Sequence, residues 1–162
     1  MGDNMEKEKN NIKNESENQC SENINALDEI CKGACMGMDA IHYVSDKVGD
    51  ETFKQVLDVE YNKYKEIHNR VCKLYNNYSD KEPHETNAMN KMMTWSGIQM
   101  KTMDDKSNSK ISELLMQGTN MGIIEGRRLL NEHHEIEPDV EKILNDFVVM
   151  QEDSVETLKK YL

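Results

Sequence analysis

The chain has 162 residues, of which 31% are charged and 36% hydrophobic, with a formal net charge of −11 and only two prolines and eight glycines. Its pI is about 4.9 and its mean hydropathy −0.85. A surface this acidic repels phosphate backbones and anionic bilayers, which excludes general nucleic-acid binding and disfavours membrane contact, and no apolar run approaches the ~18 residues needed to span a bilayer.

The length allows one domain, and the scarcity of helix breakers favours long helices in a thin bundle with much solvated surface. Residues 1–21 are almost entirely Asn, Glu, Lys, Ser and Gln. They lack the apolar surface to offset the entropy of ordering, so they are expected to form a disordered acidic, Asn-rich arm ahead of a domain over 22–162. The arm has no apolar core of the kind a secretory signal needs. Glu6 stands where a myristoylation signal wants Ser or Thr. A cytoplasmic location follows as an expectation, with Cys20, Cys31, Cys35 and Cys72 as reduced thiols.

Helical periodicity begins at Ile24 and continues through Leu27, Cys31, Ala34, Met38, Ile41 and Val48, with Ser45 in the one polar position. Gly49 supplies a stop, and Asp50 and Glu51 suit the next N-terminus. A second helix is expected over about Glu51–Tyr78, with its seam at Phe53, Leu57, Glu60, Tyr64, Ile67, Val71, Leu74 and Tyr78. So short a turn makes these two an antiparallel hairpin. After a linker around Pro83, with Thr86 as a cap, comes a shorter helix over about Asn87–Met103, rich in methionine at Met89, Met92, Met93, Met100 and Met103.

The break at 104–109 (DDKSNS) leads to a fourth helix, about Lys110–His133, with its seam at Ile111, Leu115, Gly118, Met121 or Gly122, Glu125 and Leu129. Pro138 opens a fifth, with Asp139 and Glu141 in its first turn and Val140, Ile143, Leu144, Phe147, Gln151, Leu158 and Leu162 facing inward. The pattern predicts an all-α fold: a ferritin-like antiparallel four-helix bundle of two hairpins joined by a shorter crossover helix, in preference to a plain five-helix up-and-down array.

Three segments carry a family resemblance: 107–123 (SNSKISELLMQGTNMGI), 32–41 (KGACMGMDAI) and the closing 156–162 (ETLKKYL). Together they resemble an uncharacterised family of small ferritin-like proteins from clostridia and related anaerobes, over about residues 25–162. The resemblance implies a ferritin-like fold and assigns no activity. Gly118 and Gly122, one turn apart, also have their own reading: they clear a helix face so that a neighbour can approach.

A ferritin-like di-iron centre needs a Glu-x-x-His pair on each of two helices, and the sequence has none. Lys65 precedes His68 at that spacing, Leu130 precedes His133 and Asn131 precedes His134. Carboxylates and an amide nevertheless fall on the seams at Glu60, Glu125 and Gln151, with Asp39 beside the first. They read either as a degenerate carboxylate site for iron or as hydrogen-bonded core polar groups.

Cys31 and Cys35 share one helix face, as do His68 and Cys72, and a turn centred near Gly49 sets Cys31 level with His68. Thiolate with imidazole is a ligand set for Zn²⁺ or Cu⁺. The spacing allows a site built from three of these four, since Cys35 and Cys72 should lie about 15 Å apart along the axis. Single buried cysteines also serve as small hydrophobes.

The methionines read as adaptable core filler, as a partner-binding face or, least of all, as copper ligands. His133 and His134 suit a helix C-terminus, and Trp95 suits an anchor for the crossover. No catalytic set, phosphate loop or nucleophile elbow is present. The first expectation is therefore a non-catalytic bundle acting through helix faces, as a homo-oligomer or with a protein partner on the Met-rich helix. The alternatives are a metal-binding protein or oxidoreductase with a degenerate carboxylate site for iron, and a bundle that binds copper or zinc through thiolates.

Overall fold

A computed structural model describes residues 2–84, 97–98, 101–102, 104–132 and 135–162, with side chains from residue 12 onward. Among these residues there is no β-strand. Four α-helices, α1 (Gly2–Ser45), α2 (Glu51–Tyr75), α3 (Asn108–Glu132) and α4 (Pro138–Leu158), are followed by a 3-10 turn at Lys159–Tyr161. Most of the expected Met-rich helix, along with Thr86, Trp95, His133 and His134, lies outside the described residues.

The helix ends form for local reasons. Asp50 caps α2, its Oδ1 accepting from the backbone N–H of Thr52 at 2.8 Å and of Phe53 at 3.0 Å. Ser107 caps α3 by accepting from Lys110 N at 3.1 Å. Pro138 opens α4 with Asp139 and Glu141 in its first turn.

The direction of each helix can be read from contacts at the two ends of the bundle. At one end, Asn108 Nδ2 donates to Asp50 Oδ2 at 3.1 Å, so α2 and α3 start together. The same end receives the C-terminus of α4, where Tyr161 stacks on Phe53 with ring centres 4.4 Å apart. At the other end, the Glu137 backbone N–H at the start of α4 donates to Asn23 Oδ1 on α1 at 2.8 Å. Thus α1 and α4 run one way, α2 and α3 the other. Tyr75 and Asn108 therefore lie at opposite ends of the bundle. Beyond the two hairpins, α1 packs on α3 and α4, and α2 packs on α4.

The buried face of α2 follows the expected seam from Phe53 to Val71, and Tyr75 replaces Leu74 as its last buried member. On α1 the buried face is wider than one seam and takes in Asn23, Ala26, Asp28, Ile30, Cys35 and Val44 as well. On α3 the expected seam drifts off after Leu115. Thr119 and Gly126 are buried, while Met121 is 68% exposed. Leu162, expected to face inward at the end of the last helix, lies beyond the 3-10 turn and is exposed.

Residues expected to form a disordered arm are continuous with α1. No Gly or Pro interrupts the chain between Gly2 and Gly33. Once residues 23–45 are held helical by packing, each further residue adds one hydrogen bond without a new nucleus. The boundary near residue 21 therefore marks burial and not helicity: residues 12–18 are exposed, and the core begins at Asn23.

Glycines on α3 separate two kinds of position. A Cβ on Gly126 would overlap Val148 Cγ2, a branched side chain with little freedom in a helix, whereas a Cβ on Gly118 would meet nothing within 4 Å. Gly118→Ala should therefore stabilise the fold by about 0.5–1 kcal/mol through helix propensity. Gly126→Ala should destabilise it by about 1–2 kcal/mol through overpacking. Urea denaturation of the two variants measures both.

Between α2 and α4, Arg70 donates to Asp146 at 2.6 Å, and Lys142 reaches the same carboxylate at 2.9 Å. Arg70 first, then Lys142, hold the Asp146 carboxyl below its usual value. Its stabilisation is therefore present above the unfolded aspartate pKa of about 3.9 and lost as the pH falls through the lower folded value. The pair is about one-third exposed, so it contributes at most about 1 kcal/mol. Asp146→Asn should lower the melting temperature near neutral pH, and the difference from wild type should vanish by about pH 2.

Candidate metal centre

The α1–α2 hairpin brings together side chains that are more than thirty residues apart in sequence. Ligand atoms of Cys31, Cys35 and His68 all lie within 4.8 Å of one another. Cys31 and Cys35, one turn apart on α1, are 0% and 6% exposed. His68 faces them from α2 and is half-buried. Cys72, the next turn along α2, places its Sγ 3.8 Å from the His68 ring nitrogens. Among the described residues this is the one group of three or more Cys, His, Asp or Glu side chains with ligand atoms so close. Of the four residues singled out in the sequence, Cys31, Cys35 and His68 come together, and Cys72 lies beside His68.

The arrangement follows from hairpin geometry. Cys20 on α1 meets Tyr78, Asp28 neighbours Tyr75, Cys31 meets His68, and Gly37 packs under the ring of Tyr64. The pairs run in opposite order along the two helices, as an antiparallel register requires. Asp28, one turn before Cys31, is 7% exposed. It is well satisfied, accepting from the His84 backbone N–H at 2.8 Å and pairing with His84 Nδ1 at 2.6 Å. Sequence reasoning missed this anchor because Asp28 lies one position beyond the assumed seam.

Two thiols and an imidazole converging in a mostly buried space form a donor set for a thiophilic d¹⁰ cation. The i, i+4 spacing on each helix fixes the donors on rigid elements. Three protein ligands leave one position for a fourth, which the neighbouring Cys72 thiol or a water can supply.

The carboxylates do not assemble in this way. Glu60 is 2% exposed and engaged by Lys63 Nζ at 2.7 Å and by a short hydrogen bond from the Ser154 hydroxyl. Glu125 is 63% exposed at its side chain and ion-paired with Arg128 at 2.6 Å. It therefore does not occupy the buried seam position expected of it, because the inward face of α3 passes through Gly126 instead. Asp39 is half-buried on α1. Gln151 is 3% exposed and lies against Gly122.

Tyr64, almost fully buried, has its hydroxyl 3.4 Å from Thr119 Oγ1. Burial pushes its ionisation upward, with the hydrogen bonds to Thr119 and Gln151 opposing. Lys63 and Ser154 had no place in the sequence reading, since nothing in the spacing shows that two helices will set them on one carboxylate.

Comparison of the chain with protein-family models, with curated proteins and with solved structures finds no match. No helix among the described residues is long and apolar enough to cross a membrane.

Cys31 and Cys35 are buried, and Cys20 and Cys72 are half-buried. An aromatic disulfide reagent should therefore titrate two thiols quickly and two only as fast as the hairpin opens, and all four at once in denaturant. Uniform rapid reaction of the native protein would contradict this burial pattern.

Proposed function

We propose that this protein is a ferritin-like helical bundle that binds one soft d¹⁰ cation, Cu⁺ or Zn²⁺, through Cys31, Cys35 and His68. The observation that carries the reading is the mutual approach of those three ligand atoms to within 4.8 Å across two helices. Simple core packing accounts for a buried cysteine but not for an imidazole and two thiols turned toward one another.

The ferritin-like assignment is supported by the parallel course of α2 and α3, which obliges the intervening chain to traverse the bundle. The degenerate iron site has less support, because Glu125 is exposed and Glu60 is already held by Lys63 and Ser154. The helix-face reading rested on Met89–Met103, of which only 97–98 and 101–102 are described.

The test is anaerobic purification followed by titration with Zn²⁺ and with Cu⁺ against chromophoric chelators. Wild-type protein should bind one equivalent of at least one of these metals. Cys31→Ser and His68→Gln should each weaken binding by more than about 100-fold, with helicity unchanged. His68 is half-buried, so its replacement tests the site even where the buried serine disturbs folding. Absence of stoichiometric binding of either metal, or binding unaffected by both substitutions, would overturn the proposal.

A further inference from the structure

A second feature lies on the other side of α1. A cleft of about 310 Å³ runs between α1 and α3, floored by Tyr64, Phe147 and Gln151 from α2 and α4. That volume lies at the lower end of the range for small-molecule pockets. Along α1 the lining extends from Glu29 to Ile41, a length of about 18 Å at 1.5 Å per residue. Five of the eight glycines line it: Gly33 and Gly37 on α1, and Gly118, Gly122 and Gly126 on α3. Side chains of α2 and α4 fill the space beside three of them, Phe147 at Gly33, Tyr64 at Gly37 and Val148 at Gly126. Gly118 fronts open space, and Gly122 makes room for the Gln151 amide.

Glycines alone would not define a ligand site. The second observation is Gln151 itself. It is 3% exposed, it lines the cleft, and its Oε1 has no hydrogen-bond partner. A buried amide oxygen left unsatisfied is costly, so the cleft offers an open acceptor beside the already engaged Glu60, Thr119 and Ser154.

The charges nearby restrict what can fill the slot. The Glu60 carboxylate is buried in the lining, and Glu29 and Glu125 flank the rim, opposed by Lys32. In a chain of net charge −11 an anionic headgroup is repelled. Cys31 and Cys35 do not line the cleft, so the inference stands apart from the metal centre.

We infer that the cleft between α1 and α3 binds a neutral, elongated amphiphile whose hydroxyl or N–H group donates to Gln151 Oε1 while its apolar chain lies along the glycine-lined walls. The probe is N-phenyl-1-naphthylamine, an uncharged fluorophore with one N–H donor, displaced in turn by 1-decanol, by methyl nonyl ether and by decanoate.

Fluorescence should rise on binding. Decanol should displace the probe about tenfold more effectively than the ether, which lacks a donor, and decanoate should be weaker than decanol. Gly118→Phe, whose Cβ meets nothing within 4 Å, should fill the slot and abolish probe binding while the protein stays folded by circular dichroism. Gln151→Leu should bring alcohol and ether to equal affinity. Three outcomes would overturn the inference: no fluorescence response in wild type, probe binding undiminished in folded Gly118→Phe, or equal displacement by alcohol and ether in wild type.

Discussion

The register of the α1–α2 hairpin is the constraint on which the rest depends. α1 ends at Ser45, and Asp50 caps α2 five residues later. That turn decides which residues of one helix face which of the other. Adding or removing one residue would turn α2 by about 100° about its axis. His68 would then leave Cys31 and Cys35, and Tyr64 would leave the space that Gly37 opens for it. The apolar seam from Phe53 to Val71 resists any such slip, because the same rotation would expose residues that now form the core. Packing energy thus holds the ligand geometry in place.

The second hairpin adds a different kind of order. α3 and α4 approach closely at Gly126 and Gly122, where Val148 and the Gln151 amide occupy the space that side chains would take. Above them the Glu60 carboxylate is held between Lys63 and Ser154, and the Tyr64 hydroxyl lies beside Thr119. This polar layer sits among apolar neighbours, where an unpaired charge would be strongly destabilising. Its pairing explains how an acidic seam residue on α2 can be buried. A cleft lined by α1 and α3 lies beside these contacts.

Much of this was legible in the chain. The seam of α2, its start near Asp50 and Glu51, the start at Pro138 and the alignment of Cys31 with His68 all follow from spacing and turn chemistry, because they depend on local rules and one short turn. The face of α3 was not legible beyond Leu115. Gly118, Met121, Gly122 and Glu125 offer weak and conflicting hydrophobic signals, and only packing against Val148 and Gln151 selects Gly126 over Glu125 as the inward residue. Composition reports on burial, whereas the helix continuity of residues 2–21 is inherited from the packed half of α1. Pairings such as Asp28 with His84 and Glu60 with Ser154 join distant segments, and no local pattern encodes them.

In the proposed centre, two cysteine sulfurs and one histidine nitrogen from a single hairpin form the inner shell of the cation. X-ray absorption at the edge of the bound metal, on protein loaded anaerobically with one equivalent, tests this most directly. For zinc, sulfur scatterers at about 2.3 Å together with an imidazole nitrogen at about 2.0 Å are the predicted result. A shell of oxygen and nitrogen alone would contradict the account.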